Sequence, residues 1–222
     1  MGPVGSYDDV FFWAHMIQHM ILMMLAAPLL VLGQPVLLAL RAVPVRFRRR
    51  YLLPLLRSQA IEWLGDPRIT WLLFVAVLCG THFSPFYEFA LEHEWAHKYV
   101  EHPLYLGVAL LYYYPLMGRG PFAQRVRPSH KIVSLLLMMI PEAITGFFIY
   151  ASPYVLYPHY AAVHRPFGPG ALADQQLGGA LMWAGSMLLD TGWVALAVRD
   201  WLVEDTRKTR RADQQSALAG RA

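Results

Sequence analysis

Residues 11–35, FFWAHMIQHMILMMLAAPLLVLGQP, restrict this chain more than any other stretch. The run is apolar and long enough to cross a bilayer, which takes roughly 20 residues as a helix. It nonetheless carries two imidazoles. His15 and His19 are four residues apart, so on a helix they share a face about one turn from each other. At about 100° per residue, Met16, Met20 and Met23 fall on the same broad arc. Methionine is an ordinary filler of apolar cores. Histidine in hydrocarbon is harder to dismiss, because polar groups there are costly and usually functional. Imidazole and thioether on one helix face suit copper, and Cu(I) in particular.

The remaining sequence places this run in a membrane protein. Only 15% of the 222 residues are charged and 56% are hydrophobic, whereas a soluble domain carries about 25% charge. The formal net charge is +4, but the basic residues lie between apolar segments, which points to membrane topology and away from nucleic acid. Cys79 is the single cysteine, which excludes an intrachain disulfide and a Cys-pair copper motif. Met1–Asp9 has no basic n-region, and the first apolar segment is too long for an h-region, so no cleavable signal is expected.

The expected fold is all-α: a single integral membrane domain over 1–222, a polytopic bundle of about five spans. The spans fall at about 10–33, 69–83, 95–117, 132–151 and 174–198, with 199–222 as a charged tail that frays at its end. Pro28 is expected to kink the first span, and Gly33-Gln34-Pro35 marks its far end. Asp174 reads as an N-cap of the last span, and Gly178-Gly179 as a place of close helix approach. Residues 41–68 hold seven Lys/Arg, residues 119–131 four and the tail from Arg199 six, so only Lys98 and Arg165 of the 19 lie elsewhere. By the bias of basic residues to the cytoplasmic side, the N-terminus faces outward and the tail is cytoplasmic.

That topology sorts the histidines. His15, His19, His82, His93, His97, His102, His159 and His164 all fall at the outer end, and only His130 at the inner one. His97, Glu101 and His102 reach a depth in the third span similar to that of His15 and His19 in the first. Together they offer four imidazoles, with Met16 and Met20 as soft additions, a natural setting for Cu(I). Zinc would accept the same imidazoles, but the methionine face favours copper. Glu101 and Asp174 are candidates for orienting the imidazoles through their other nitrogen. Glu142, in the middle of the fourth span, is a functional candidate expected to face the bundle interior. His93, His159 and His164 read as interfacial, and Asp190 as structural.

No Walker or Rossmann glycine pattern, Gly-x-Ser-x-Gly elbow or His-Glu-x-x-His occurs, so hydrolytic and nucleotide-dependent chemistry has no support. HMIQHMILMMLAAPLLVLGQP, EHPLYLGVALLYYYPLMG and DQQLGGALMW, in this order, resemble the multi-span caa(3)-type cytochrome c oxidase assembly factor family, CtaG. The resemblance covers roughly Tyr7 to Trp201, and its motif residues fall on His15, His19, His102 and Asp174. It implies a multi-pass protein of the bacterial plasma membrane that helps mature a haem–copper oxidase. Copper would be supplied to the oxidase's catalytic subunit, as a chaperone does and not as an enzyme. Relatives usually carry further spans ahead of the HMxxHM segment, whereas this chain starts almost at it. Two other functions remain open at this stage: a membrane haem protein using paired imidazoles as axial ligands, and a metal permease. A homo-oligomer is also left open.

Overall fold

A computed structural model of the protein describes residues 5, 7–118, 126–165 and 167–219, the side chains of 217–219 excepted. Every regular element among them is helical, as expected. The first apolar run is α1 (Phe12–Leu32). The basic stretch that follows is not a plain loop: it folds into α2 (Pro35–Ala42), α3 (45–56) and α4 (Gln59–Leu64). Then come α5 (Pro67–His82), α6 (Pro85–Glu92), α7 (94–117), α8 (Pro128–Ala151), α9 (Pro158–Ala162) and α10 (Ala171–Ser216). The expectation for residues 119–125, with Arg119 and Arg125, lies outside the described residues.

Helices α1, α8 and α10 are long and apolar enough to cross a membrane, and α5 with α6, bent by 68°, makes a fourth if the pair is one span. The bend has a local cause. Asp66 caps α5, accepting from the Arg68 N–H at 2.8 Å, and Ser84 caps α6 in the same way from Phe86 at 3.2 Å. Each cap is followed by a proline, which suits a first helical position and forces a new start. The expected fraying falls on residues 220–222, outside the described residues, and the tail before them is helical. It continues α10 to Ser216, because residues 199–216 are mostly good helix formers and Glu204 pairs with Lys208 one turn on at 2.8 Å.

Five helices close a ring in the order α1, α10, α8, α5, α7. Three glycines set its tightness. A Cβ on Gly179 would lie 2.5 Å from the Tyr150 backbone nitrogen, and one on Gly146 2.7 Å from that of Trp183, so α8 and α10 touch backbone to backbone. A Cβ on Gly178 would lie 2.3 Å from the Phe12 ring, so that side chain of α1 packs against the α10 backbone.

The helices are not uniform. Wide i→i+5 turns occupy Ile21–Ala26, Arg48–Leu52, His97–Glu101 and Leu181–Gly185. Pro28, Pro54 and Pro103 each stand two residues beyond one of the first three. A proline lacks the N–H and crowds the carbonyl four residues back; a wide turn relieves both. Pro28, expected to kink α1, thus follows a wide turn. The carbonyl left without the Pro28 N–H is that of Met24, and it accepts from Trp193 Nε1 at 2.8 Å.

Candidate metal centre

The centre begins with how α1 is anchored. Asp174 does not cap its own helix, which starts at Ala171 after Gly170. Its carboxylate instead accepts from the N–H groups of Phe12 and Trp13, at 2.9 and 3.1 Å, and pairs with Arg165 at 3.2 Å. These are donors at the start of α1 that no carbonyl within the helix can satisfy. Asp174 thus caps a neighbouring helix and orients no imidazole. It fixes the first turn of α1, and with it the positions of His15 and His19.

Around Glu101 the imidazoles converge. His15 and His19 stand ring to ring with centroids 4.1 Å apart, as their spacing predicts. His15 lies 4.9 Å from the His97 ring, and His97 4.4 Å from His102. The last contact depends on the wide turn. Five residues of α-helix would set His102 about 140° away from His97; the i→i+5 turn at His97–Glu101 brings both onto one face. Glu101, fully buried, accepts from His97 Nδ1 at 2.6 Å through Oε2. Its Oε1 has no hydrogen-bond partner among the described residues, and lies 3.7 Å from both His15 Nε2 and His19 Nε2. Both nitrogens of His97 are taken, since Nε2 lies 3.3 Å from Asp8 Oδ2. Burial raises the Asp8 carboxyl, but the hydrogen bond and charge of His97 outweigh it and hold Asp8 below its ordinary value.

Hydrogen-bond logic assigns two tautomers. Tyr160 donates its single proton to the Asp8 carbonyl at 2.8 Å. At His15 Nδ1, 3.2 Å away, the same hydroxyl must accept. His15 therefore carries its proton on Nδ1, and in a neutral ring Nε2 is a bare lone pair facing the Glu101 carboxylate. His82 repeats the pattern: Nδ1 donates to the Leu78 carbonyl at 2.8 Å, and Nε2 has no partner among the described residues. Both nitrogens of His19 and Nε2 of His102 also lack one. Ligand atoms about 2.1 Å from an ion lie roughly 3.4–3.6 Å apart at tetrahedral to trigonal angles. The 3.7 Å separations at Glu101 Oε1 are close to that span, and His15, His97 and Glu101 offer ligand atoms all within 4.8 Å of one another, a grouping that does not extend to His19 or His102.

The other expected residues divide. Met16 and Met20, together with His19, line a cavity on the deeper side of the histidines. Glu142 also lines that cavity, buried, with the buried Asp190 carboxyl of α10 beside it. His159 is not free in a loop. It belongs to α9, with its N–H on Glu88 at 2.6 Å and Nε2 at 3.1 Å from the Asp9 carbonyl. His93 stacks on Phe89, His164 is exposed, and His130 lies in a cleft with Asp66, Arg68 and Arg127 at the far end of α5. His82, Asp8 and Tyr160 are the participants that sequence reasoning did not select. For His82 the available signal was its place on the same side as the other histidines; for Asp8 and Tyr160 there was none.

Comparison with known proteins agrees with the resemblance seen in the motifs. The family model described as cytochrome c oxidase caa3 assembly factor (Caa3_CtaG) matches residues 1–204. Uncharacterized proteins of Mycobacterium bovis and Mycobacterium tuberculosis are each 31% identical over 220 residues, covering 96% of this chain and 33% of theirs. One of Mycobacterium leprae is 28% identical over 231 residues, with the same shares. The chain thus spans about a third of the length of the curated relatives it matches. No solved structure matches it. With the family model covering almost the whole chain, the chain belongs to the cytochrome c oxidase caa3 assembly factor family.

Proposed function

We propose that the protein carries copper, as Cu(I), for the maturation of a haem–copper oxidase and performs no catalysis of its own. The ligands are His15, His19, His102 and Glu101, with His97 holding Glu101 in place and His82 within reach of His19 at 6.3 Å between ring centroids. One observation carries the reading. In its neutral form His15 turns an Nε2 lone pair to the unpartnered Oε1 of Glu101 at 3.7 Å, two buried acceptors facing each other. A buried polar atom without a partner costs about 1–3 kcal/mol, and a cation relieves both at once. Haem is less well served. Rings whose centroids lie 4.1–6.1 Å apart leave no slot for a macrocycle among them.

The protein works in the bacterial plasma membrane with five spans, its N-terminus outside and its tail in the cytoplasm. The bias of Lys and Arg supports this orientation. The histidine centre then opens toward the side where copper is handed to the oxidase's catalytic subunit. The test is made in cells. His15→Ala/His19→Ala should insert at the normal level yet leave the oxidase short of copper, seen as lost oxidase activity with the assembly factor still present by immunoblot. Full oxidase activity with the double variant overturns the reading. So does a Soret band in the purified wild-type protein.

A further inference from the structure

On the deeper side of His19, the interior of the helix ring holds a cavity of ≈ 30 Å³, room for a single ion or one to two waters. Five of its eleven lining residues are methionines, Met16, Met20, Met23 and Met24 from α1 and Met182 from α10, and His19, His82 and Glu142 line it as well. We propose that this cavity is a second metal site, one that admits Cu(I) and passes it to the histidine–Glu101 centre through His19. The proposal rests on the copper reading of that centre and adds the element that makes it selective.

Three features support it. Positions 16, 19, 20, 23 and 24 follow the i, i+3, i+4, i+7, i+8 stripe of one helix face, so the thioethers continue the line begun by His15 and His19. The opposite wall is cut back to receive them. A Cβ on Gly185 would lie 3.1 Å from Met20 Sδ, and one on Gly178 3.3 Å from Met16 Cγ; glycine there lets both side chains lie against the α10 backbone inside the ring. The cavity also holds an unsatisfied polar atom: Glu142 Oε2, on its lining, is buried without a hydrogen-bond partner among the described residues, an acceptor that a cation in an otherwise apolar interior would satisfy.

The two sites differ in chemistry. Imidazoles and a carboxylate accept zinc as readily as copper. Thioethers are soft ligands that favour Cu(I). A chain with both discriminates at the sulfurs and binds firmly at the histidines, with His19 lining one site and lying beside Glu101 in the other.

The test uses the full chain in detergent, without oxygen, with Ag(I), Cu(I) and Zn(II) as probes. In wild-type protein carrying 13C-methyl methionine, Ag(I) should shift the methyl resonances of Met20, Met24 and Met182 while Zn(II) leaves them in place. Copper X-ray absorption should show both a sulfur and a nitrogen shell. Met20→Leu/Met24→Leu/Met182→Leu, which nearly conserves volume, should weaken the sulfur shell and keep wild-type Zn(II) uptake. Methyl resonances unmoved by Ag(I) overturn the proposal. So does a copper spectrum of nitrogen and oxygen alone that the triple variant leaves unchanged, and the histidine centre survives that result. A sulfur shell without nitrogen has the opposite meaning: the cavity site stands and the copper reading of the histidines falls.

Discussion

Removing the carboxylate of Asp174 should unfix the metal centre without touching any metal ligand. Asp174→Ala withdraws the acceptor of two buried N–H groups, those of Phe12 at 2.9 Å and Trp13 at 3.1 Å, and leaves Arg165 without its partner at 3.2 Å. Hydrogen bonds to a charged group contribute about 1.5–3 kcal/mol each, and a broken buried ion pair costs about 3–5 kcal/mol. The three contacts share one carboxylate, so their losses overlap; about 3–5 kcal/mol is expected for the alanine variant. Asp174→Asn keeps one acceptor oxygen and should lose about half of that. For a chain of this size each kcal/mol moves the melting temperature by about 2–4 °C, so Asp174→Ala should melt roughly 10 °C lower in detergent. Because the anchored turn leads directly into His15, copper affinity should fall with it, and Arg165→Ala should reproduce a smaller part of the loss. An Asp174→Ala protein that melts like wild type and binds copper as tightly would refute the capping role.

Further outcomes follow from other contacts. Trp193→Phe leaves the Met24 carbonyl without its donor and should cost about 1–3 kcal/mol. Pro28→Ala restores an N–H near that carbonyl, so the double variant should lose less than Trp193→Phe alone, read by thermal unfolding. Gly179→Ala forces a Cβ to 2.5 Å from the Tyr150 nitrogen and should destabilise by about 1–3 kcal/mol or more. Gly192→Ala, with nothing within 4 Å of the new atom, should be neutral or stabilise by up to about 1 kcal/mol. Reporter fusions at Arg50 and at Ala161 should report cytoplasm and exterior respectively; the reverse pattern would place the histidines on the cytoplasmic side and remove them from the oxidase copper site.

The parts of the fold legible in the sequence are those that depend on local period. Apolar runs mark α1, α5, α8 and α10, and the four-residue spacing of His15 and His19 places them ring to ring. Gly178-Gly179 announces a close helix contact, and the structure has one on each side, to Phe12 and to Tyr150. What stays hidden depends on departures from that period or on contacts distant in the chain. His97 and His102 share a face only through a wide turn, whose one visible sign is Pro103. Asp174 looks like a cap for the residues after it and caps residues 162 positions earlier. Asp190 reads as a lone polar residue until α8 delivers Glu142 to it. His82 ends one helix, and nothing in its own neighbourhood shows that it arrives beside His19.

The central claim is that the buried imidazoles around Glu101 hold copper. Its most direct test is the copper content of the purified protein after anaerobic loading with Cu(I), wild type against His15→Ala/His19→Ala, normalised to folded molecules. The account predicts that copper per folded molecule falls to about half of the wild-type value or below, with the nitrogen shell lost from the X-ray absorption spectrum. A double variant that folds and retains its full copper and its nitrogen shell would contradict it.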